Sequence, residues 1–364
     1  MIWSSDKRIR VIAGRAVVDA ITDLGIKGKV LLLSAPVFEN SGLLNEVINS
    51  LPEADIQLHV EDISNPDIGQ LEGIAKSCRY SAFDWIVAIG GGSIIDAAKV
   101  LSVILVDNAK SRILDDLRNS VPVKIDSHIP MLAVPTTSGT GAECTQFATV
   151  WDMQNGRKYS LESDFLLPEH VILDPSLTIG LPYKHTLYTG LDALSHATES
   201  LWNKKFSPLA TACAKESIRI IIQELPLALE NPGNINARSA TQNASFLSGI
   251  AISQTKTAIA HAISYPLTYR YTIPHGLACS FTIPALFDLL CVKGEPDQET
   301  LDYIKLSADF IKGLALREQI LQYAKSEEIL ALIDEMNNPQ RFLNFVLSVN
   351  RDELYSVLRS SLRS

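Results

Sequence analysis

A chain of 364 residues is long for a single small core, and 46% hydrophobic with 20% charged residues describes an ordinary soluble globular protein, so two packed domains are expected. The formal net charge of −9, with no basic block of five or more, argues against a nucleic-acid partner, whose phosphates need clustered Lys and Arg. A small anionic substrate stays compatible, because one or two well-placed cations suffice for it.

No uninterrupted apolar run approaches the about 20 residues of a membrane span, so no membrane partner is expected. The opening MIWSSDKRIR is charged where a signal peptide needs its apolar stretch, and a cytoplasmic location follows as the expectation. Cys78, Cys144, Cys213, Cys279 and Cys291 are scattered, without C-x-x-C spacing, which suits reduced thiols rather than a disulfide framework.

In chain order, three short apolar runs read as buried parallel strands: 29–34, bounded by Gly28 and Pro36; 85–89, closed by Gly90-Gly91-Gly92; and 131–134, ending at Pro135. Helical patterns such as 95–105 separate them. Alternating strand and helix implies a parallel sheet covered on both faces. After Pro182 strand-like runs become scarce, and amphipathic stretches follow at 186–202, 209–229, 236–252, 257–265 and from 285 onward. The expected domains are therefore 1–182, α/β, and 183–364, all-helical.

Two loops of the first half suit a nucleotide. Gly90-Gly91-Gly92-Ser93, between a strand and a helix holding Asp96 and Lys99, can bring backbone N–H groups up to a pyrophosphate. It is not the G-x-G-x-x-G fingerprint, and alone it reads equally well as a tight turn. Pro135-Thr136-Thr137-Ser138-Gly139-Thr140-Gly141-Ala142-Glu143 places hydroxyls and glycines at a strand's C-terminal end, where ligands bind in open α/β sheets. Taken singly it could equally be capping and turn residues. Two such loops at neighbouring strand ends favour a cofactor.

The sharpest pattern lies in the helical half. Asp192 and His196 are spaced i, i+4 and leave one helix face; His261 lies on a later helix, and His275 follows Pro274 at that helix's far connection. One carboxylate and three imidazoles make a first-row divalent site with room for a substrate oxygen. His59, His128, His170 and His185 read as ordinary polar residues. A divalent cation polarising a carbonyl and a nicotinamide exchanging hydride form a coherent pair, expected in the cleft between the two domains.

At these residues the chain resembles the iron-containing alcohol dehydrogenases. The segment 90–99 looks like their G-G-G-S-x-x-D-x-A-K, 135–143 their P-T-T-x-G-T-x-x-E, and Asp174 to Pro182 their D-P-x-L-T-x-x-L-P. Gly190 to Glu199 is similar to G-x-D-A-x-x-H-A-x-E, and His261 and His275 match the remaining motifs at the family's spacing. The resemblance implies an N-terminal Rossmann-like α/β domain plus an all-α C-terminal domain, the architecture shared with dehydroquinate synthase. It implies metal ligands Asp192, His196, His261 and His275, with Fe2+ or Zn2+ as the ion. It implies an NADPH or NADH site lined by Gly91, Gly92, Ser93, Asp96, Thr136, Thr137 and Thr140, with Lys158 and Leu181 as additions. Homodimers or larger homo-oligomers are expected from the same likeness.

Three positions depart from the family. Tyr265 replaces a histidine that many members carry one turn after the third ligand. Ala35, after Ser34, stands where many NAD-preferring members have an Asp that repels a 2′-phosphate, so NADPH is not excluded. Lys256 precedes His261 where many members have small residues, and the run 256–265 resembles a subgroup reducing phosphonoacetaldehyde to 2-hydroxyethylphosphonate. A small anionic aldehyde is thus the expected substrate, met by Lys256, Arg270 and Tyr265. The rival readings are a lyase-type cyclase like dehydroquinate synthase, which lacks the D-x-x-x-H spacing, and a non-catalytic metal- and nucleotide-binding relative.

Overall fold

The three apolar runs lie side by side at the centre of one sheet, because a strand buried on both faces needs continuous Val, Ile and Leu. In the computed structural model, which describes residues 9–78, 81–106, 112–205, 207–294 and 296–363, they are β2 (Gly28–Ser34), β4 (Trp85–Gly90) and β5 (Met131–Pro135). Around them lie β1 (Arg10–Ala13), β3 (Ala54–Val60) and β8 (His170–Leu173), giving six parallel strands in the order β1-β8-β5-β4-β2-β3. A separate antiparallel hairpin joins β6 (Phe147–Asp152) to β7 (Arg157–Glu162). The first eight residues, on which the expectation of no signal peptide rests, lie outside the described residues.

Register fixes which loops meet. Ser34 pairs with Ile89, and Gly90 pairs with Pro135, so the chain leaves β2 at Ala35, β4 at Gly91 and β5 at Thr136 along one sheet edge. That carboxyl edge is where open parallel sheets hold ligands.

The chain forms two units: Met1–Thr137 with Ala142–Thr178, and Ser138–Gly141 with Ile179–Ser364. The first contains both sheets. The second is helical and includes four residues of the threonine-rich loop, which a single chain boundary does not describe. Its principal helices are Tyr183–Leu201, Pro208–Glu230, Ile235–Thr255, Ile259–Tyr271, His275–Ser280 and Ile283–Lys293. Local chemistry sets their starts: Ser207 accepts from Ala210 N with Pro208 in the first turn, and Asn234 accepts from Ala237 N. Their apolar faces converge on Leu191, Leu194, Ile218, Ile263, Leu277 and Leu286, all fully buried. Each such side chain contributes roughly 1.5–3 kcal/mol of transfer free energy.

The stretch His275–Lys293 has a mean hydropathy of 1.5 over its most apolar 18-residue window, enough for a membrane span by composition. Yet 61% of that window is buried inside the protein, and the chain breaks helix between Ser280 and Ile283. The apolarity is used by the helical core.

Candidate active site

In the α/β unit the strand β4 ends at Gly90, Gly91 takes the N-cap position, and the helix Gly92–Ile104 begins without a side-chain cap. Its first N–H groups are therefore oriented outward for an anion. A Cβ on Gly91 would sit 3.4 Å from the Thr137 methyl, so the glycine and threonine loops touch. Thr136 is buried and anchored by its N–H to Gly90 O, at 3.0 Å.

The polar side chains along this helix are engaged by the protein. Ser93 Oγ donates to Ser64 O at 2.7 Å, and Asp96 Oδ2 accepts from Thr149 N at 2.9 Å. Burial raises the Asp96 carboxyl, with Lys99 and Lys158 opposing. Lys158 lies on β7, its ammonium 5.4 Å from the Trp151 ring centroid. Lys99 is 0% exposed, and its ammonium donates to Thr145 O (2.9 Å), Thr145 Oγ1 (3.1 Å) and Phe147 O (2.8 Å). It pins the segment after the threonine loop and has no donor left over for a phosphate. Glu143, buried beside it, is pushed up by desolvation to about 7, with its own backbone N–H and Lys99 opposing and Asp96 adding to the rise.

The helical unit gathers the other predicted residues. Asp192 and His196 share the helix Tyr183–Leu201, His261 lies in the first turn of Ile259–Tyr271, and His275 opens His275–Ser280. Asp192 Oδ1 stands 3.6 Å from His196 Nε2, 3.5 Å from His261 Nε2 and 3.8 Å from His275 Nε2. One ligand atom each from Asp192, His261 and His275 lies within 4.8 Å of the other two, and His196 joins through Asp192 and by stacking on His261 at 4.7 Å between ring centroids. These separations are too long for hydrogen bonds. The two shorter ones fall within the edges, about 3.3–3.6 Å, of a tetrahedron of N and O donors about 2.0–2.2 Å from one ion, and the His275 distance is slightly longer.

Electrostatics agree with that donor set. Burial raises Asp192, but His196, His275 and His261 outweigh it and hold the carboxyl well below its usual range. Burial takes His196 down to about 4, leaving a neutral imidazole. For His261 burial also acts downward, yet Glu199 and Asp192 bring it up to about 10. Its buried Nε2 makes no hydrogen bond. A cation is what this group of one carboxylate and convergent imidazole nitrogens lacks, so the residues fit a divalent metal.

Several supporting residues received no role from the sequence reading. Glu199 Oε2 lies 2.7 Å from His261 Nδ1, Cys279 Sγ donates toward Asp192 Oδ1 at 3.6 Å, and Ser264 Oγ lies 3.4 Å from His275 Nδ1. Glu199 was findable: three residues after His196 and seven after Asp192, it shares their helix face. Gly276 is required by proximity, since a Cβ there would overlap the Tyr188 carbonyl oxygen and approach Asp192 N at 3.1 Å.

The three substrate candidates separate. The Tyr265 ring lies parallel to His275, 6.3 Å between centroids, beside the cluster. Lys256 ends the helix Ile235–Thr255 with φ 63° and ψ 170°, five residues before His261. Arg270 is a correction: its side chain is 51% exposed, and Nε and Nη2 are held by Glu335 at 3.1 and 3.2 Å. Nine residues along the helix from His261, about 13 Å of rise, it is a surface ion pair rather than a partner of Lys256.

Residues 9–175 match the iron-containing alcohol dehydrogenase family, and residues 186–358 match the C-terminal region of the same family. The chain is 32% identical to a sulfoacetaldehyde reductase of Bilophila wadsworthia over 262 residues, which is 71% of this chain and 67% of that protein. It is 36% identical to a phosphonoacetaldehyde reductase of Streptomyces viridochromogenes over 229 residues, 61% of this chain and 57% of that one. Among solved structures it is similar to a sulfoacetaldehyde reductase from Bifidobacterium kashiwanohense in complex with NAD+, with 26% identity, a TM-score of 0.87 and coverage of 100% and 99% of the two chains. The chain therefore belongs to the iron-containing alcohol dehydrogenase family, as an enzyme of its NAD(P)-dependent alcohol dehydrogenase and aldehyde reductase class.

Proposed function

We propose that this enzyme reduces a small anionic aldehyde to the primary alcohol with NADPH or NADH, and that phosphonoacetaldehyde, giving 2-hydroxyethylphosphonate, is its substrate. The observation that carries the reading is the convergence of three imidazole Nε2 atoms on Asp192 Oδ1 at 3.5–3.8 Å. Asp192, His196, His261 and His275 hold the metal, Fe2+ in the first instance, with Zn2+ accepted by the same donors. When bound, the ion supplies Lewis-acid polarisation of a carbonyl oxygen and the nicotinamide supplies the hydride.

The chain's own residues bind and orient. The backbone N–H groups of Gly91, Gly92 and Ser93 receive the pyrophosphate, and Asp96, Thr136, Thr137, Thr140, Lys158 and Leu181 complete the cofactor site. Tyr265, stacked beside His275, offers its hydroxyl to substrate or water. A phenol's ordinary pKa of about 10 suits hydrogen bonding better than proton shuttling. Lys256 meets the anionic group. The likeness to reductases of sulfoacetaldehyde and phosphonoacetaldehyde supports an anionic substrate. A cytoplasmic homodimer or larger oligomer completes the proposal.

The test is NAD(P)H consumption by metal-reconstituted protein with phosphonoacetaldehyde, sulfoacetaldehyde and propanal. The proposal expects the highest kcat/KM on phosphonoacetaldehyde. Sulfoacetaldehyde in first place would transfer the reading to a sulfonate, and preference for propanal would overturn the anionic class. No NAD(P)H consumption with any of the three aldehydes would overturn the reductase reading.

A further inference from the structure

Glu199 is 0% exposed, and an isolated carboxylate in such a place is strongly disfavoured. Its two oxygens are fully engaged. Oε1 accepts from Ala260 N (2.6 Å) and His261 N (3.3 Å), while Oε2 accepts from Ala258 N (2.8 Å) and faces His261 Nδ1 at 2.7 Å. The carboxylate thus grips both the backbone that begins the helix Ile259–Tyr271 and the imidazole that this helix delivers. Because the surrounding N–H groups already use it as an acceptor, Nδ1 must be the donor in the fourth contact. The ring's other nitrogen, Nε2, 3.5 Å from Asp192 Oδ1, is then the one that gives up its proton and offers its lone pair when a metal binds.

We infer that Glu199 is the positioning residue of the metal centre, fixing the tautomer and orientation in which His261 meets the metal. The inference rests on the metal-site reading above. Outer carboxylates of this kind raise a ligand's basicity and typically govern metal affinity ten- to a hundredfold.

Glu199→Gln is the informative change, since it preserves volume while replacing one acceptor oxygen by an NH2 donor. Placed at Oε2, that donor faces Nδ1 and transfers the ring proton to Nε2; placed at Oε1, it opposes two backbone N–H groups. Zn2+ and Co2+ affinities would be measured by calorimetry, and the Co2+ ligand-field spectrum recorded, for native protein, Glu199→Gln and Glu199→Asp. The expected result is a roughly ten- to hundredfold weaker Kd and an altered Co2+ spectrum in Glu199→Gln, with Glu199→Asp recovering part of both. Native-like affinity and spectrum in Glu199→Gln would overturn the inference.

Should Glu199→Gln fail to fold, 15N-histidine NMR of the native protein decides, assigned with His261→Asn. His261 Nδ1 should carry its proton in both metal-free and zinc-loaded protein, and an unprotonated Nδ1 in either form would refute the positioning role. Failure of the native protein to bind any divalent ion is a separate outcome that removes the metal-site reading itself.

Discussion

His275 Nε2 reaches within 3.8 Å of Asp192 Oδ1 because the next residue, Gly276, lets the helix His275–Ser280 lie against the backbone of Tyr183–Leu201. Ser280 Oγ reinforces that contact, donating to Leu191 O at 3.0 Å and lying 2.7 Å from Ser195 Oγ. Gly276→Ala must separate the two helices, since the added carbon meets a carbonyl oxygen rather than a flexible side chain. The variant should lose about 1–3 kcal/mol of stability and at least tenfold in metal affinity. Calorimetry with and without Zn2+ checks both, and an unchanged Kd would show that the glycine is incidental to the site.

The four-residue cluster makes a stoichiometric prediction. Purified protein should carry close to one divalent ion per chain, and chelation should abolish reductase activity. His261→Ala should lose the metal yet keep nucleotide binding, because the glycine loop with Thr136 and Thr137 belongs to the other unit's sheet edge. Elemental analysis with fluorescence titration of NADPH separates the two effects; a metal-free preparation with full activity would contradict the assignment.

Glu143 makes a pH prediction. Its folded value of about 7 exceeds an ordinary glutamate's 4.5, so the native state binds more protons than the unfolded chain between those values. Stability from this group is then intact below pH 4.5, declines as pH rises from 4.5 to 7, and stays reduced above 7. The full shift corresponds to an order of about 3 kcal/mol, shared with the Lys99 and Asp96 charges beside it. Glu143→Gln should accordingly be more stable than the native protein at pH 8, with the advantage shrinking toward pH 5. Urea unfolding at both pH values tests it, and a difference independent of pH would mean that the carboxyl stays ionised throughout.

What was legible in the sequence follows the strength of each physical signal. The central strands announced themselves because burial on both faces demands unbroken apolar runs. The edge strands β1 and β3 did not, since solvent on one side permits Arg10, Gln57 and His59 among their residues. The β6–β7 hairpin carried an Asn155-Gly156 turn, with Gly156 at φ 61°, that could have been read. In the site, Asp192 and His196 were legible from spacing, and His261 and His275 from chemistry and resemblance. Lys99 received no role from the sequence, because nothing local shows that its ammonium is buried against Thr145 and Phe147. Arg270 misled because nothing local reveals Glu335, 65 residues later in the chain.

Cofactor preference can be redirected at one position. Ala35 follows β2 directly, at the same sheet edge as Gly91 and Thr136, and is the N-cap of the short helix Pro36–Asn40. In Ala35→Asp the carboxylate would repel a 2′-phosphate and accept from ribose hydroxyls, shifting preference toward NADH. Asp is also a better N-cap than Ala, so stability should hold or rise by up to about 1 kcal/mol. The ratio of kcat/KM for the two cofactors, before and after substitution, is the measurement. Strict NADH use by the native protein would mean that other groups decide.

Lys256 combines an unusual backbone with a charge. Its φ of 63° and ψ of 170° lie in a region that belongs almost wholly to glycine and costs on the order of 1–3 kcal/mol. The surroundings over-determine it: Lys256 N donates to Ile252 O at 2.7 Å, Asn203 Nδ2 to Lys256 O at 3.0 Å, and Asn344 Nδ2 to Thr257 O at 2.8 Å. A side chain kept where glycine would be easier points to a use for that side chain. If the ammonium holds a phosphonate or sulfonate, the contact is worth roughly 1.5–3 kcal/mol, or one to two powers of ten in affinity. Lys256→Gly should therefore be more stable than the native protein, since it relieves the backbone, and yet lose roughly ten- to a hundredfold in kcat/KM on phosphonoacetaldehyde. Lys256→Met keeps the strain and removes only the charge, so it should show the same loss without the gain in stability. Propanal, which offers no anion, should be reduced equally by all three proteins. A parallel fall on propanal would assign Lys256 to the delivery of His261 instead, and the anion-binding role would be withdrawn while the reductase assignment stood.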